Sequence, residues 1–214
     1  MDLKYLIRHS QIKKNSPSIF LLHGYGSNKE DLFSLEGYLP KNHTIISLEA
    51  PISLSFGGFT WFEVDQIDIL NKSYYNNKND VDNIANMIID NIDKISSKFK
   101  LNKSDTTVLG FSQGASICWK LGLDYSDRIR RILPISSYIN ENIFNSTIDK
   151  YNNILAYSSH GLHDDIIPIS LVKETILELI KYNDNIKFEE FESGHTINQA
   201  NLSSIMNWIN STNL

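Results

Sequence analysis

The short glycine-rich segment Gly110-Phe111-Ser112-Gln113-Gly114 contains the residue with the clearest chemical potential in this 214-residue chain. It follows the apolar run Thr106–Leu109 and precedes a helical pattern, so it predicts a sharp strand-to-helix turn. Glycines are needed at both ends of such a turn, because side chains there would collide with neighbouring backbone. The turn presents Ser112 at a helix N-terminus, where backbone N–H groups favour negative charge. We therefore expect a nucleophilic serine; the alternative is a plain glycine-rich turn with a serine cap.

A nucleophilic serine needs a base, and the base needs a carboxylate that orients it. In chains with this turn, the acid and then the base follow the serine. His195 comes just after a predicted strand and before the last predicted helix, where a base is expected. The preceding strand pattern, 154–157, leads to Asp164 and Asp165, and either can be the acid on this reasoning. The sequence thus predicts a triad of Ser112, an aspartate and His195.

Two backbone N–H groups are expected to stabilise the oxyanion that forms when a serine attacks a carbonyl. One belongs to Gln113, the residue after the nucleophile. The other is assigned to Tyr25 in the loop Leu22-His23-Gly24-Tyr25-Gly26, which follows an early predicted strand. His23 precedes the nucleophile in the chain, so we interpret it as a structural residue that holds this loop.

Strand and helix patterns alternate along the chain and position these residues. Short apolar runs predict strands at 19–22, 44–48, 106–109, 131–135, 154–157 and 186–191. Helical spacing of apolar residues predicts helices at 28–38, 81–99, 114–123, 170–182 and 197–209. Buried strands that alternate with helices indicate a mostly parallel sheet with helices on both faces. Reactive groups in such sheets collect at the carboxyl ends of the strands.

Composition restricts the classes of partner. Hydrophobic residues make up 41% and charged residues 21% of the chain, which is typical of a globular protein. No repeat or long linker divides it, so one domain over 1–214 is predicted, with the polar stretch 71–80 as an exposed loop. The net charge of −5 argues against nucleic acid as a partner. Cys118 is the single cysteine, which excludes an intrachain disulfide and a cysteine-based zinc site.

Hydropathy gives an expectation about location. The apolar stretch near Met1 is three residues long and closed by Arg8, too short for a signal-peptide core. No apolar run approaches the ~20 residues of a membrane span. We therefore expect a cytoplasmic protein without stable membrane insertion, and loose contact with a membrane surface stays open.

The chain resembles the phospholipase/carboxylesterase family of α/β-hydrolases, which includes the acyl-protein thioesterases. The resemblance extends from about residue 17 to the C-terminus and rests on Leu22-His23-Gly24-Tyr25-Gly26, Asp31-Leu32, Ala50-Pro51, Trp61-Phe62, Gly110-Phe111-Ser112-Gln113-Gly114-Ala115, His160-Gly161 with Asp164 and Pro168, and Gly194-His195. It implies the α/β-hydrolase fold, with a compact, mostly parallel central sheet and helices on both faces. It also favours Asp164 over Asp165 as the acid, because the family's His-Gly-x-x-Asp pattern falls on 160–164. On the same pattern, His160 is structural.

Two positions depart from the family's pattern. Glu63 stands where many relatives have aspartate, and Ala115 stands where relatives often have glycine. The first puts the shape of the substrate pocket in doubt, and neither affects the triad. The aromatic stretch 54–62 is open to two interpretations. It is either a flap over an acyl chain, with Phe59, Trp61 and Phe62 contacting substrate, or a loop that packs into the core.

The function that this resemblance implies is a serine carboxylesterase acting on short- to medium-chain acyl esters, with no metal or other cofactor. The alternatives are an acyl-protein thioesterase, a lysophospholipase, and an inactive hydrolase-fold binding protein. The substrate is then a small-molecule or lipid acyl ester. Family resemblance is compatible with a homodimer, although the sequence shows no interface signature. Because a histidine base must be neutral, activity should rise through roughly pH 6.5 to 8.

Overall fold

The computed structural model describes residues 1–63, 78–140 and 154–212. Its strands are β1 (Tyr5–Arg8), β2 (Ser18–Leu22), β3 (Thr44–Leu48), β4 (Ile52–Ser53), β5 (Phe59–Thr60), β6 (Thr106–Phe111), β7 (Arg131–Ile135), β8 (Leu155–Gly161) and β9 (Ile186–Phe191). Its helices are α1 (Lys29–Phe33), α2 (Lys78–Phe99), α3 (Gln113–Asp124), α4 (Ile169–Ile180) and α5 (Gln199–Ser211).

Seven strands form the central sheet, in the order β1-β3-β2-β6-β7-β8-β9. All neighbouring pairs are parallel except β1 and β3, which are antiparallel. The strands β4 and β5 form a separate small hairpin. The predicted mostly parallel sheet is therefore confirmed, and its strand order places the carboxyl ends of β2, β6 and β8 at one edge.

Side chains of the central strand β2 alternate between the two faces of the sheet. Phe20 and Leu22 pack in the cluster that contains the buried residues of α2, α3 and α4. Ile19 and Leu21 pack in the cluster that contains buried residues of α1 and α5. Because both faces are covered, every β2 side chain is buried, which explains the continuous apolar run in its sequence.

Several predicted boundaries differ from the structure. The helix predicted at 28–38 is the short α1, which ends at Phe33 and is followed by turns. The side chain of Asn28 caps it by accepting from the N–H groups of Glu30 and Asp31 at 3.0 and 3.2 Å. The strand β1 was not expected, because it is a half-buried edge strand whose apolar run is only three residues long. Most of the predicted loop 71–80 lies outside the described residues, and Lys78 begins α2.

None of the described helices combines the length and the apolar character that crossing a membrane requires.

Cys118 is buried inside α3, where its thiol donates to the Val108 carbonyl at 3.1 Å. Burial raises the pKa of this thiol, so it remains protonated and acts as a small core residue.

His43 makes stability depend on acidity. It is buried just before β3, with Nε2 3.4 Å from the Arg131 guanidinium. Burial, followed by the charges of Arg131 and Arg8, lowers the His43 pKa to about 4. Between pH 4 and the ~6.5 of a free histidine, the unfolded chain binds a proton that the folded chain does not. Acidification across this window therefore favours unfolding.

We expect the His43 contribution to the free energy of unfolding to fall by about 3 kcal/mol between pH 6.5 and pH 4. The variant His43→Gln removes the titrating group and should lose this part of the pH dependence. Urea unfolding of both proteins at the two pH values measures the difference. Equal pH dependence in the two proteins would contradict this assignment.

Candidate active site

Ser112 lies on the turn between β6 and α3 in a backbone conformation that few residues adopt. Its φ is 54° and its ψ is −115°, which lies outside the regions that helices and strands use. A Cβ on Gly114 would lie 2.1 Å from the Leu22 carbonyl oxygen, and one on Gly110 would lie 2.2 Å from the Gly114 oxygen. Glycine is therefore required at both positions, as predicted, and the sharp turn leaves Ser112 half-buried at the carboxyl edge of the sheet.

His195 and Asp164 are paired in the loops that follow β9 and β8. The His195 Nδ1 atom lies 2.7 Å from the Asp164 Oδ2 atom. The Asp164 side chain is fully buried, whereas the His195 side chain is 17% exposed. Asp165, the other aspartate considered, is exposed. Because Nδ1 is occupied by the carboxylate, Nε2 is the ring nitrogen left to accept a proton.

The Asp164 carboxylate is held by four groups. Its Oδ1 accepts the N–H groups of Ile166 and Ile167 at 3.0 and 2.8 Å. Its Oδ2 lies 2.7 Å from His195 and 3.2 Å from the His160 Nε2 atom. Burial by itself raises the Asp164 pKa, but the hydrogen bonds from His195 and the Ile167 N–H outweigh it, and the pKa is lowered. The carboxylate is therefore ionised and correctly oriented at neutral pH.

His160 has a more specific position than the family pattern implied. It is fully buried, and its Nε2 also lies 2.7 Å from the Ile167 carbonyl oxygen. Burial lowers its pKa, so the ring is neutral and Nε2 carries the proton that both oxygens accept. His160 thus positions the Asp164 oxygen that His195 uses. The family's His-Gly-x-x-Asp pattern had joined the two residues and implied a structural role for His160, but it did not indicate a contact between their side chains.

Close packing brings the His195 loop to the rest of the site. A Cβ on Gly161 would lie 2.3 Å from the Gly194 carbonyl oxygen, so the loop rests directly on the end of β8. The His195 ring also stacks against Phe111, with ring centroids 4.8 Å apart. Phe111 immediately precedes Ser112, so this contact joins the His195 loop to the turn that carries Ser112.

The Gln113 side chain connects the N-terminus of α3 to the β5 segment. Its Oε1 accepts from the Thr60 hydroxyl at 3.0 Å and from the Trp61 N–H at 3.1 Å. Its Nε2 donates to the Phe62 carbonyl at 3.0 Å. From the sequence, only the backbone N–H of Gln113 was expected to have a role. No motif indicated that its side chain binds residues 60–62.

The loop that carries Tyr25 is fixed from both sides. The His23 Nε2 atom accepts the Ala50 N–H at 3.1 Å, and its Nδ1 donates to the Gly24 carbonyl at 2.8 Å. The Trp61 indole donates to the His23 carbonyl at 2.8 Å. Within the described ranges, the N–H groups of Tyr25 and Gln113 donate to no acceptor, so both are free to donate to a ligand.

Only the last residues of the aromatic segment 54–62 pack into the core, whereas Phe56 is 72% exposed and its ring centroid lies 6.3 Å from that of Tyr25. Trp61 and Phe62 are 1% and 3% exposed, which favours the packing interpretation over substrate contact for these two residues. Phe59 is half-buried, and its backbone exchanges two hydrogen bonds with Gly26 and Ser27 at 2.9 and 2.8 Å. The segment therefore supports the Tyr25 loop through its backbone.

Loss of the Gln113 amide should destabilise the protein. In Gln113→Leu, the buried Trp61 N–H loses its acceptor, whereas the Phe62 carbonyl keeps the hydrogen bond from the Thr60 hydroxyl at 2.7 Å. One unsatisfied buried group costs about 1–3 kcal/mol, and we expect the free energy of unfolding to fall by that amount, as measured by urea denaturation. The exposed Gln199→Leu serves as the control and should differ little from wild type. Equal stability of the two variants would show that the amide network contributes nothing.

Known proteins resemble this chain in sequence and in fold. The family model of phospholipases and carboxylesterases matches residues 6–213. A search of curated proteins finds no match. Solved structures share the fold at low identity. The Bacillus cereus carboxylesterase has a TM-score of 0.83 at 16% identity, over 98% of this chain and 94% of that one. Esterase PE8 has 0.79 at 21%, over 99% of both chains.

The acyl-protein thioesterase 2 of Zea mays gives a TM-score of 0.75 at 20% identity, over 97% of this chain and 98% of that one. These likenesses confirm the expected α/β-hydrolase fold. The match to the family model covers nearly the whole chain and shows more than the fold. The chain belongs to the phospholipase/carboxylesterase family of hydrolases.

Proposed function

We propose that this protein is a serine carboxylesterase that hydrolyses short- to medium-chain acyl esters through an acyl-enzyme. The observation that carries the proposal is the 2.7 Å pair of His195 and Asp164 beside the turn that presents Ser112. A nucleophile, a base and an orienting acid are the three groups that this reaction needs. Membership of an esterase family supports the same reaction class.

In the first half of the reaction, the Ser112 oxygen attacks the acyl carbonyl while His195 Nε2 takes the hydroxyl proton. The N–H groups of Tyr25 and Gln113 stabilise the oxyanion, and one such donor is worth about 10²–10³-fold in rate. Asp164 stabilises the charged imidazole. When the intermediate collapses, His195 returns the proton to the departing alcohol and the acyl group stays on Ser112.

In the second half, His195 takes a proton from water as the water oxygen attacks the acyl-enzyme. The carboxylic acid leaves, and the proton returns to Ser112. Every step uses side chains and backbone groups of this chain, so the mechanism that we propose calls for no cofactor. The single-domain organisation, cytoplasmic location and possible homodimer remain predictions.

An acyl-protein thioesterase is the second candidate, and the likeness to the Zea mays enzyme named as one supports it. Hydrolysis of p-nitrophenyl esters from acetate to palmitate distinguishes the candidates, with Ser112→Ala as the background control. We expect turnover to peak at or below medium chain length. A peak at long chains would favour lipid or lipidated-protein substrates. No turnover at any length by the folded protein would contradict the carboxylesterase.

A further inference from the structure

A cavity of about 310 Å³ lies beside His195, between α1 and the loop that leads into α5. This volume is at the lower end of the ~300–1,000 Å³ range of small-molecule sites. Among the residues that line it are Asp31, Leu32, Leu35, Phe111, His195 and Ile197. The proton transfers described above use His195 but give no role to the rest of this cavity.

The position of the cavity assigns it to one half of the substrate. His195 must hand its proton to the leaving oxygen, so the leaving alcohol has to lie against His195 during the reaction. His195 and Phe111 both border the cavity, whereas Ser112 and the expected oxyanion donors at Tyr25 and Gln113 are not among the residues that line it. We propose that the cavity binds the alcohol portion of the ester and prefers an alcohol that carries a positive charge.

Asp31 supplies the reason for the charge preference. Its Oδ2 accepts from the Ser27 hydroxyl at 2.7 Å, and no basic side chain within the described ranges pairs with it. The adjacent Glu30 instead pairs with Lys29 at 3.2 Å, and the same Lys29 ammonium also pairs with Glu49 at 2.5 Å. Asp31 therefore gives the cavity wall an uncompensated negative charge. That charge attracts a cation and repels an anion such as a phosphate.

Phe111 adds a second feature that suits an organic cation. Its ring lines the same cavity, and a quaternary ammonium group is attracted to an aromatic face. The remaining wall contains Leu32, Leu35 and Ile197, which match the methyl groups of such a cation. Protonation of His195 does not cancel the preference, because the oxyanion acquires the opposite charge in the same step.

The preference can be measured with two esters of the same shape and the same acyl group, acetylcholine and 3,3-dimethylbutyl acetate. They differ only in the charge on the leaving alcohol. Because Asp31 is exposed, its attraction is partly screened, and we expect acetylcholine to have a kcat/KM about five-fold higher. This ratio should shrink as salt is raised from 0.05 to 0.5 M, since the Debye length falls.

Asp31→Asn is the decisive variant, because its amide oxygen can keep the bond from Ser27 while the charge is lost. The ratio of the two esters should fall to about one. Glu30→Gln is the matched control, since Glu30 is next in the chain but outside the cavity lining, and it should retain the ratio. Thermal unfolding of both variants checks that each is folded.

The inference rests on the proposed esterase activity, and the outcomes separate the two. A ratio of one or less in the wild type, or an unchanged ratio in Asp31→Asn, would overturn the cavity assignment. Hydrolysis of p-nitrophenyl acetate without hydrolysis of either test ester would also overturn it and leave the esterase standing. Failure of the folded protein to hydrolyse any ester would instead reject the proposed function.

Discussion

Ser112→Ala is expected to lower kcat for p-nitrophenyl acetate by at least about 10⁴-fold. The variant keeps the turn and loses only the attacking oxygen, so the acyl-enzyme cannot form. The loss should appear in kcat, because the oxyanion donors and the surrounding cavity remain. Any residual rate reflects those donors, which can act on a water molecule without the serine.

Ser203→Ala is the matched control for this variant. Ser203 is an exposed serine of α5 whose hydroxyl donates to the Gln199 carbonyl. It should keep wild-type kcat, and both variants should unfold at close to the wild-type temperature. Activity of Ser112→Ala within ten-fold of the wild type would remove Ser112 from the mechanism.

Asp164→Asn is expected to lower kcat by about 10³–10⁴-fold near pH 7 while keeping the fold. The carboxylate accepts on both oxygens, from the N–H groups of Ile166 and Ile167 on one and from His195 and His160 on the other. An amide that keeps the first pair turns its NH₂ group toward two ring N–H donors. His195 then loses its acceptor and adopts the wrong tautomer or orientation.

Asp165→Asn separates the two aspartates that the spacing alone left open. Asp165 adjoins Asp164 but is exposed, so its replacement should leave kcat close to that of the wild type. Steady-state kinetics on both variants at pH 7 provides the comparison, with circular dichroism to confirm folding. Equal losses in the two variants would argue against the assignment of Asp164 as the orienting acid.

Much of the fold was predictable because buried strands and amphipathic helices carry strong local patterns. The strands β3, β7 and β9 match their predicted bounds. The turn at Ser112 was predictable for a steric reason, because only glycine fits at its two ends. The rule that strand ends meet at one edge predicted His195 and an aspartate at 164 or 165, and the family resemblance favoured Asp164.

The remaining features depend on contacts between distant parts of the chain. Gln113 bonds to three backbone or hydroxyl groups of residues 60–62, and no local pattern encodes that partnership. Trp61 is a large aromatic residue of the kind that could cover a substrate as part of a flap. It is buried instead, and its indole N–H donates to the His23 carbonyl. The charge of the cavity wall at Asp31 likewise depends on the pairing of Lys29 with Glu30 and Glu49 instead of Asp31.

Covalent labelling tests the central claim most directly. The folded wild-type protein is incubated with a fluorophosphonate, which reacts with activated serines, and the intact mass and the modified peptide are determined. The proposed mechanism predicts one adduct per chain, located on Ser112 and missing from Ser112→Ala. No adduct on the folded wild-type protein, or an adduct on another residue, would contradict the assignment of Ser112 as the nucleophile.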